Sequence, residues 1–204
     1  MCAMPLIWRR VELKGNVIHY GHYFPVEYNY CERYRTRLES FIKLICEEKK
    51  PVYASNLKSL KISYYHSITH KIIRSVVNYC PNVIHLDFKS SVGVCDKTLI
   101  KIASSYPNLK HLNLWDNRMI TDEGLCQIAQ SCNKLEYLNI SGHTGFSEII
   151  ICNVICSCPG LQQLDLSFCR ITNITIKEIA SLCFNLKYLK LEGSDNVSKE
   201  ARFT

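Results

Sequence analysis

The chain has 204 residues, 47% of them hydrophobic, and a formal net charge of +7. That suffices for one core-bearing domain with room for an appendage. No run approaches the roughly 18 uninterrupted apolar residues of a membrane-spanning helix, and Met1–Arg9 is too short, with its arginines after its apolar stretch, to be a secretory leader. The basic excess is local: residues 1–80 hold 13 Lys and Arg against 6 Asp and Glu, whereas residues 81–204 hold 12 of each. These cations are scattered as on a solvated helix surface, so neither nucleic acid nor membrane is an expected partner.

Residues 16–29 are rich in Tyr, His and Gly and show no period. Tyr34, Leu38, Phe41, Ile42 and Ile45 then fall at helical spacing, which predicts an amphipathic helix closed by Lys49-Lys50-Pro51. A linker and capping helix are therefore expected over 16–55. The cap would cover the apolar edge of whatever begins near Leu57.

From Leu57 the chain repeats itself. Leu109-Lys-His-Leu112-Asn-Leu114-Trp-Asp-Asn117 and Leu161-Gln-Gln-Leu164-Asp-Leu166-Ser-Phe-Cys169 share one pattern, and its first apolar residue recurs at Leu57, Val83, Leu109, Leu135, Leu161 and Leu186. The steps are four of 26 residues and one of 25. Each unit's second half carries an apolar helical stripe, as in Leu99, Ile102, Ala103, Tyr106 and in Leu125, Ile128, Ala129, Cys132. Thr121 supplies a helix cap, and Pro81, Pro107 and Pro159 stop the helices before them. A fixed period of this length, with a strand half and a helix half, predicts a right-handed leucine-rich-repeat solenoid over 56–204, in the α/β class and shaped like the ribonuclease-inhibitor horseshoe. Six parallel strands are expected, centred near residues 60, 86, 112, 138, 164 and 189, with the C-terminal edge uncapped.

Solenoids of this kind are binding surfaces. Side chains alternate along each strand, so the leucines turn inward and their neighbours line the concave face. His85, His111, Tyr137 and Tyr188 share one column, Asn113 lies in the next, and Lys89 and Trp115 lie in a third. Trp115, flanked by His111 and Tyr137, has the character of a binding hot spot; the alternative is that it packs over its neighbours as ordinary surface. These seven residues are the expected contacts of a protein partner.

Cys80, Cys132, Cys158 and Cys183 close the helical stripe of their repeats, and Tyr106 replaces them once. Such a position calls for a buried, mostly small side chain, so reduced structural thiols are expected in a cytoplasmic or nuclear setting. Asn117 and Cys169 take the turn position after their strands, where a polar side chain can satisfy free backbone groups. Cys152, Cys156 and Cys158, with His143 upstream, invite a zinc reading. Cys158 belongs to the buried stripe, however, and the other two fall elsewhere on the helix, so no metal is expected. No nucleophile elbow, phosphate loop, metalloprotease motif or dinucleotide fingerprint appears, so neither enzymatic activity nor a cofactor is expected.

With the repeats in view, the chain resembles the cysteine-containing leucine-rich repeats of F-box proteins. Their unit is visible in Ile120-Thr121-Asp122-Glu-Gly124-Leu125 through Cys132-Asn-Lys-Leu135, and its opening recurs at Cys80-Pro81 and Cys158-Pro159. The mitotic-exit antagonist family has similar repeats. Met4-Pro5-Leu6-Ile7-Trp8-Arg9-Arg10 is similar to the closing stretch of an F-box, which makes residues 1–15 an F-box remnant. The resemblance implies the substrate-recognition part of a Skp1–cullin–F-box ubiquitin ligase adaptor, with Skp1 bound only by a longer form. The alternatives are a repeat protein that binds and blocks its partner without ubiquitin chemistry, or a fragment with no ligase role.

Overall fold

A computed structural model describes residues 9–15, 28–46, 52–65 and 68–198. Its strands are β1 (Arg10–Lys14), β2 (Ser59–Ser63), β3 (His85–Asp87), β4 (His111–Asn113), β5 (Tyr137–Asn139), β6 (Gln163–Asp165) and β7 (Tyr188–Lys190). They pair in sequence order, all parallel, in one sheet. The helices between them are α1 (Tyr28–Ile45), α2 (Val52–Asn56), α3 (His70–Tyr79), α4 (Asp96–Ser105), α5 (Asp122–Ser131), α6 (Glu148–Ser157) and α7 (Asn173–Leu182).

Each strand turns two apolar residues inward. Leu60 and Ile62, Leu86 and Phe88, Leu112 and Leu114, Leu138 and Ile140, and Leu164 and Leu166 are almost wholly buried against the helical stripes. Leu189 on the last strand and Leu191 just past it are only partly covered. One layer of core therefore runs the length of the molecule between sheet and helices, as in a one-dimensional repeat array.

The sheet starts earlier than expected. Arg10–Lys14, read from sequence as the end of an F-box remnant, forms β1 and pairs with β2 from Arg10↔Ser59 to Lys14↔Ser63. The sheet therefore has seven strands rather than six. α1, read as a cap outside the sheet, lies in the crossover from β1 to β2 and buries Leu38, Phe41 and Ile45. That crossover is far longer than the 26-residue unit, so no fixed period could reveal it. The residues matched to an F-box end from Met4 to Trp8 lie outside the described residues.

Three hydrogen-bond ladders fix the repeats to one another. The first lies at the turn after each strand. The side chains of Ser91, Asn117, His143, Cys169 and Ser194 bond the carbonyls of Ile62, Phe88, Leu114, Ile140 and Leu166 at 2.8, 3.0, 2.9, 3.3 and 3.5 Å. Four residue types at one position do one task, because a buried carbonyl needs any donor of the right reach. His143 must carry its proton on Nε2 to serve there; burial lowers its pKa, which keeps the ring neutral.

The second ladder joins helix starts. Asp96, the first residue of α4, accepts from the backbone N–H and hydroxyl of Thr121, both at 2.8 Å. Asp122 accepts from the Ser147 N–H at 3.0 Å, Glu148 from the Thr172 N–H at 2.7 Å, and Asn173 from the Ser198 N–H at 3.0 Å. Thr121, Ser147 and Thr172 are the N-caps of α5, α6 and α7. α4, α5 and α6 thus each anchor the cap of the helix that follows.

The third ladder runs through the helix ends. The Tyr106 hydroxyl donates to the Cys80 carbonyl at 2.9 Å, the Cys132 thiol to the Tyr106 carbonyl at 3.6 Å, and the Cys158 thiol to the Cys132 carbonyl at 3.5 Å. Cys80, Cys132 and Cys158 are fully buried and Cys183 is nearly so. Cys80, Cys132, Cys158, Cys169 and Cys183 are free thiols, as are Cys46, Cys95, Cys126, Cys152 and Cys156.

One backbone feature also repeats. Tyr64, Ser90, Asp116, Gly142, Phe168 and Gly193, each just beyond a strand, have positive φ. The turn into the helix side requires this left-handed residue, which glycine adopts without strain and the other four adopt at a cost.

Candidate functional site

The face of the sheet away from the helices carries the residues singled out by sequence. Parallel register places Arg10, Ser59, His85, His111, Tyr137, Gln163 and Tyr188 in one row across all seven strands. The centre of that row is a continuous aromatic surface. The His111 and Tyr137 rings stack with centroids 3.9 Å apart and planes 9° from parallel, and His85 meets His111 at 5.7 Å with a 58° tilt. Burial, with His85 beside it, lowers the His111 pKa to about 4. The stacked imidazole is therefore neutral at physiological pH and acts as an aromatic surface rather than a charge. Burial likewise raises the Tyr137 pKa, which keeps its hydroxyl protonated.

Two rows further along, the Lys89 ammonium sits 4.4 Å from the Trp115 ring centroid and 5.6 Å from that of Tyr64. This cation–π sandwich fixes the exposed side of the indole. Tyr64 was not singled out by sequence, because it stands at the turn rather than on the strand. Its 26-residue relation to Ser90, which follows Lys89, was the available signal.

The intervening row ends the strands. Asp87, Asn113, Asn139 and Asp165 each accept from the backbone N–H two residues on, at Lys89, Trp115, Ser141 and Ser167, at 3.0, 3.1, 2.9 and 3.0 Å. These Asx turns end the strands. Asn113, expected to face a partner, is only 7% exposed and its side-chain oxygen holds the backbone of Trp115. It positions the tryptophan. Tyr188 is 55% exposed but separated from Tyr137 by the Gln163 strand, so it stands apart from the aromatic centre.

The cysteines suggestive of zinc point to separate partners: Cys152 to Thr175 at 3.8 Å, Cys156 to Glu178 at 3.9 Å and Cys158 to the Cys132 carbonyl. Among the described residues, no three His, Cys, Asp or Glu side chains converge as metal ligands. No helix among them is long and apolar enough to cross a membrane.

One strand and one helix per unit, stacked into a single parallel sheet with an aromatic outer row, define a leucine-rich-repeat solenoid. Models described as leucine-rich repeat match residues 107–129 and 160–182. Solved structures of similar fold include an internalin from Listeria monocytogenes (TM-score 0.54, 17% identity, 74% of this chain and 46% of that one). A chain of the Rad7 and Elc1 complex in yeast is also similar (TM-score 0.58, 14% identity, 80% and 50%). So is the tropomodulin C-terminal domain from Caenorhabditis elegans (TM-score 0.52, 17% identity, 72% and 92%). The chain spans about half the length of the internalin and yeast chains. No curated protein sequence matches it.

Proposed function

We propose that this chain is a non-catalytic, protein-binding module, and that it recognises its partner on the open face of the sheet around His111, Tyr137 and Trp115. The observation that carries this reading is the stacked His111–Tyr137 pair beside the Lys89–Trp115 sandwich. Rigid aromatic area, held by packing before a partner arrives, contributes affinity at low entropic cost. The finer reading is that the module recognises substrates for a Skp1–cullin–F-box ligase. It rests on the Cys-Pro and Ile-Thr-Asp signatures of the repeats, on the likeness of the sequence from Met4 to Arg10 to the end of an F-box, and on a chain of similar fold occurring in a two-protein complex.

Two experiments separate the layers. A photo-crosslinking residue at Tyr137 should capture a protein partner in cells, whereas one at Gln127 on α5 should not; capture from the helix side alone would overturn the face assignment. Purified Skp1 should bind a form extended at the N-terminus and bind this chain weakly. No binding by either would leave the alternative, a module that binds and blocks.

A further inference from the structure

Beyond the aromatic centre, the same face carries a basic groove. It has a volume of about 600 Å³; Arg9, Arg10, Lys58 and Lys61 line it with His85 and His111, and Asp87 is the acidic residue among the described lining. The cations are set by the sheet: the Lys58 N–H donates to the Arg9 carbonyl at 2.9 Å, and the His85 N–H to the Lys58 carbonyl at 3.0 Å. Arg9 and Lys58 therefore stand side by side at the starts of β1 and β2, roughly 4.8 Å apart across the sheet.

Further along the sheet, the equivalent cations are already engaged. Lys110, one position before β4, is paired with Glu136 at 2.7 Å, and Lys187 donates to Gln162 at 3.2 Å. Lys61 faces Glu12 at 3.2 Å and Asp87 at 3.9 Å, and Arg10 reaches Glu12 at 3.7 Å. Among the described residues no carboxylate pairs with Arg9 or Lys58. The groove thus holds two unneutralised cations at one end and runs into the stacked His111–Tyr137 rings at the other.

We infer that this groove takes an acidic peptide segment of the partner, with carboxylates on Arg9 and Lys58 and an adjacent aromatic or aliphatic side chain on the His111–Tyr137 stack. This rests on the proposed binding face and names the chemistry of its ligand. A peptide suits the site better than a nucleic-acid backbone. The free cations cover only two strands, too few for a phosphate track carried across the sheet, and the carboxylates of Glu12 and Asp87 are offset by Lys61 at 3.2 and 3.9 Å.

The test uses a fluorescein-labelled peptide of alternating Glu and Tyr residues, a Gln/Tyr control of equal length and a single-stranded oligonucleotide. Binding to the whole chain is followed by anisotropy and mapped by amide chemical shifts. The Glu/Tyr peptide should bind, shift residues of β1 to β4, and weaken as salt rises past the point where surface charges are screened. Lys58→Glu should weaken it about tenfold, and Lys58→Arg should leave it nearly unchanged. Equal binding of the Gln/Tyr peptide, shifts confined to the helix side, or tighter binding of the oligonucleotide would each overturn the inference. If the Glu/Tyr peptide fails while Tyr137 still crosslinks a cellular partner, the groove assignment falls and the binding-face reading stands.

Discussion

The Tyr106 hydroxyl reaches across one repeat to donate a 2.9 Å hydrogen bond to the Cys80 carbonyl. In the following two repeats a cysteine thiol bonds the corresponding carbonyl, at 3.6 and 3.5 Å. Tyrosine can replace cysteine there because both are apolar bodies ending in a donor. Tyr106→Phe keeps the body and removes the donor, leaving a buried carbonyl short of a partner. The expected cost is about 1–3 kcal/mol, read as a lower urea midpoint at unchanged slope. No loss of stability would show that the position asks only for volume.

The thiols of Cys80, Cys158 and Cys169 are pushed up to about 12, and that of Cys132 to about 11, with burial the chief cause in each. Thiols of this kind lack the reactive thiolate. Brief alkylation with iodoacetamide at pH 7.5, read by mass spectrometry, should label exposed Cys156 first and these four only on unfolding. Early labelling of Cys132 would contradict the ladder.

Glu148 gathers the Thr172 N–H and hydroxyl at 2.7 and 2.9 Å and the Thr175 hydroxyl at 2.6 Å. Burial alone would raise its pKa, but these hydrogen bonds to the charged form outweigh it and the carboxyl sits below its ordinary value. A depressed acid stabilises the fold above its unfolded pKa, and the contribution fades as pH falls through the folded value. Wild-type stability should therefore drop on acidification below about pH 4.5, and Glu148→Gln should lose about 1–2 kcal/mol at pH 7 while flattening that acid limb. An unaltered acid limb in the variant would refute the assignment.

Trp115→Ala should weaken partner binding by about 2 kcal/mol or more, with a far-UV spectrum matching wild type. The indole lies outside the core, on the open face, so its removal should cost the fold little. Lys89→Met removes the cation from the indole face and should give a smaller affinity loss, about 0.5–1 kcal/mol. If Trp115→Ala unfolds the protein, the residue is structural.

Sequence alone determined the repeats from β2 onward. One apolar pattern recurring every 26 residues can bury its leucines only by stacking identical units, so strand positions, helix positions and the inward cysteines follow from the period. It also placed His85, His111 and Tyr137 in one column, because parallel register follows the repeat length. What it could not reach depended on contacts between non-equivalent residues. β1 joins the sheet across a crossover with no period; its Arg-Val-Glu-Leu-Lys alternation, with Val11 and Leu13 against the core, is too short to announce its place beside β2. Asn113 reads from sequence as a partner contact, and only the folded turn shows that its side-chain oxygen also accepts from the Trp115 N–H. The ladders accept Ser, Asn, His and Cys interchangeably because geometry, not residue type, fixes what a buried carbonyl requires.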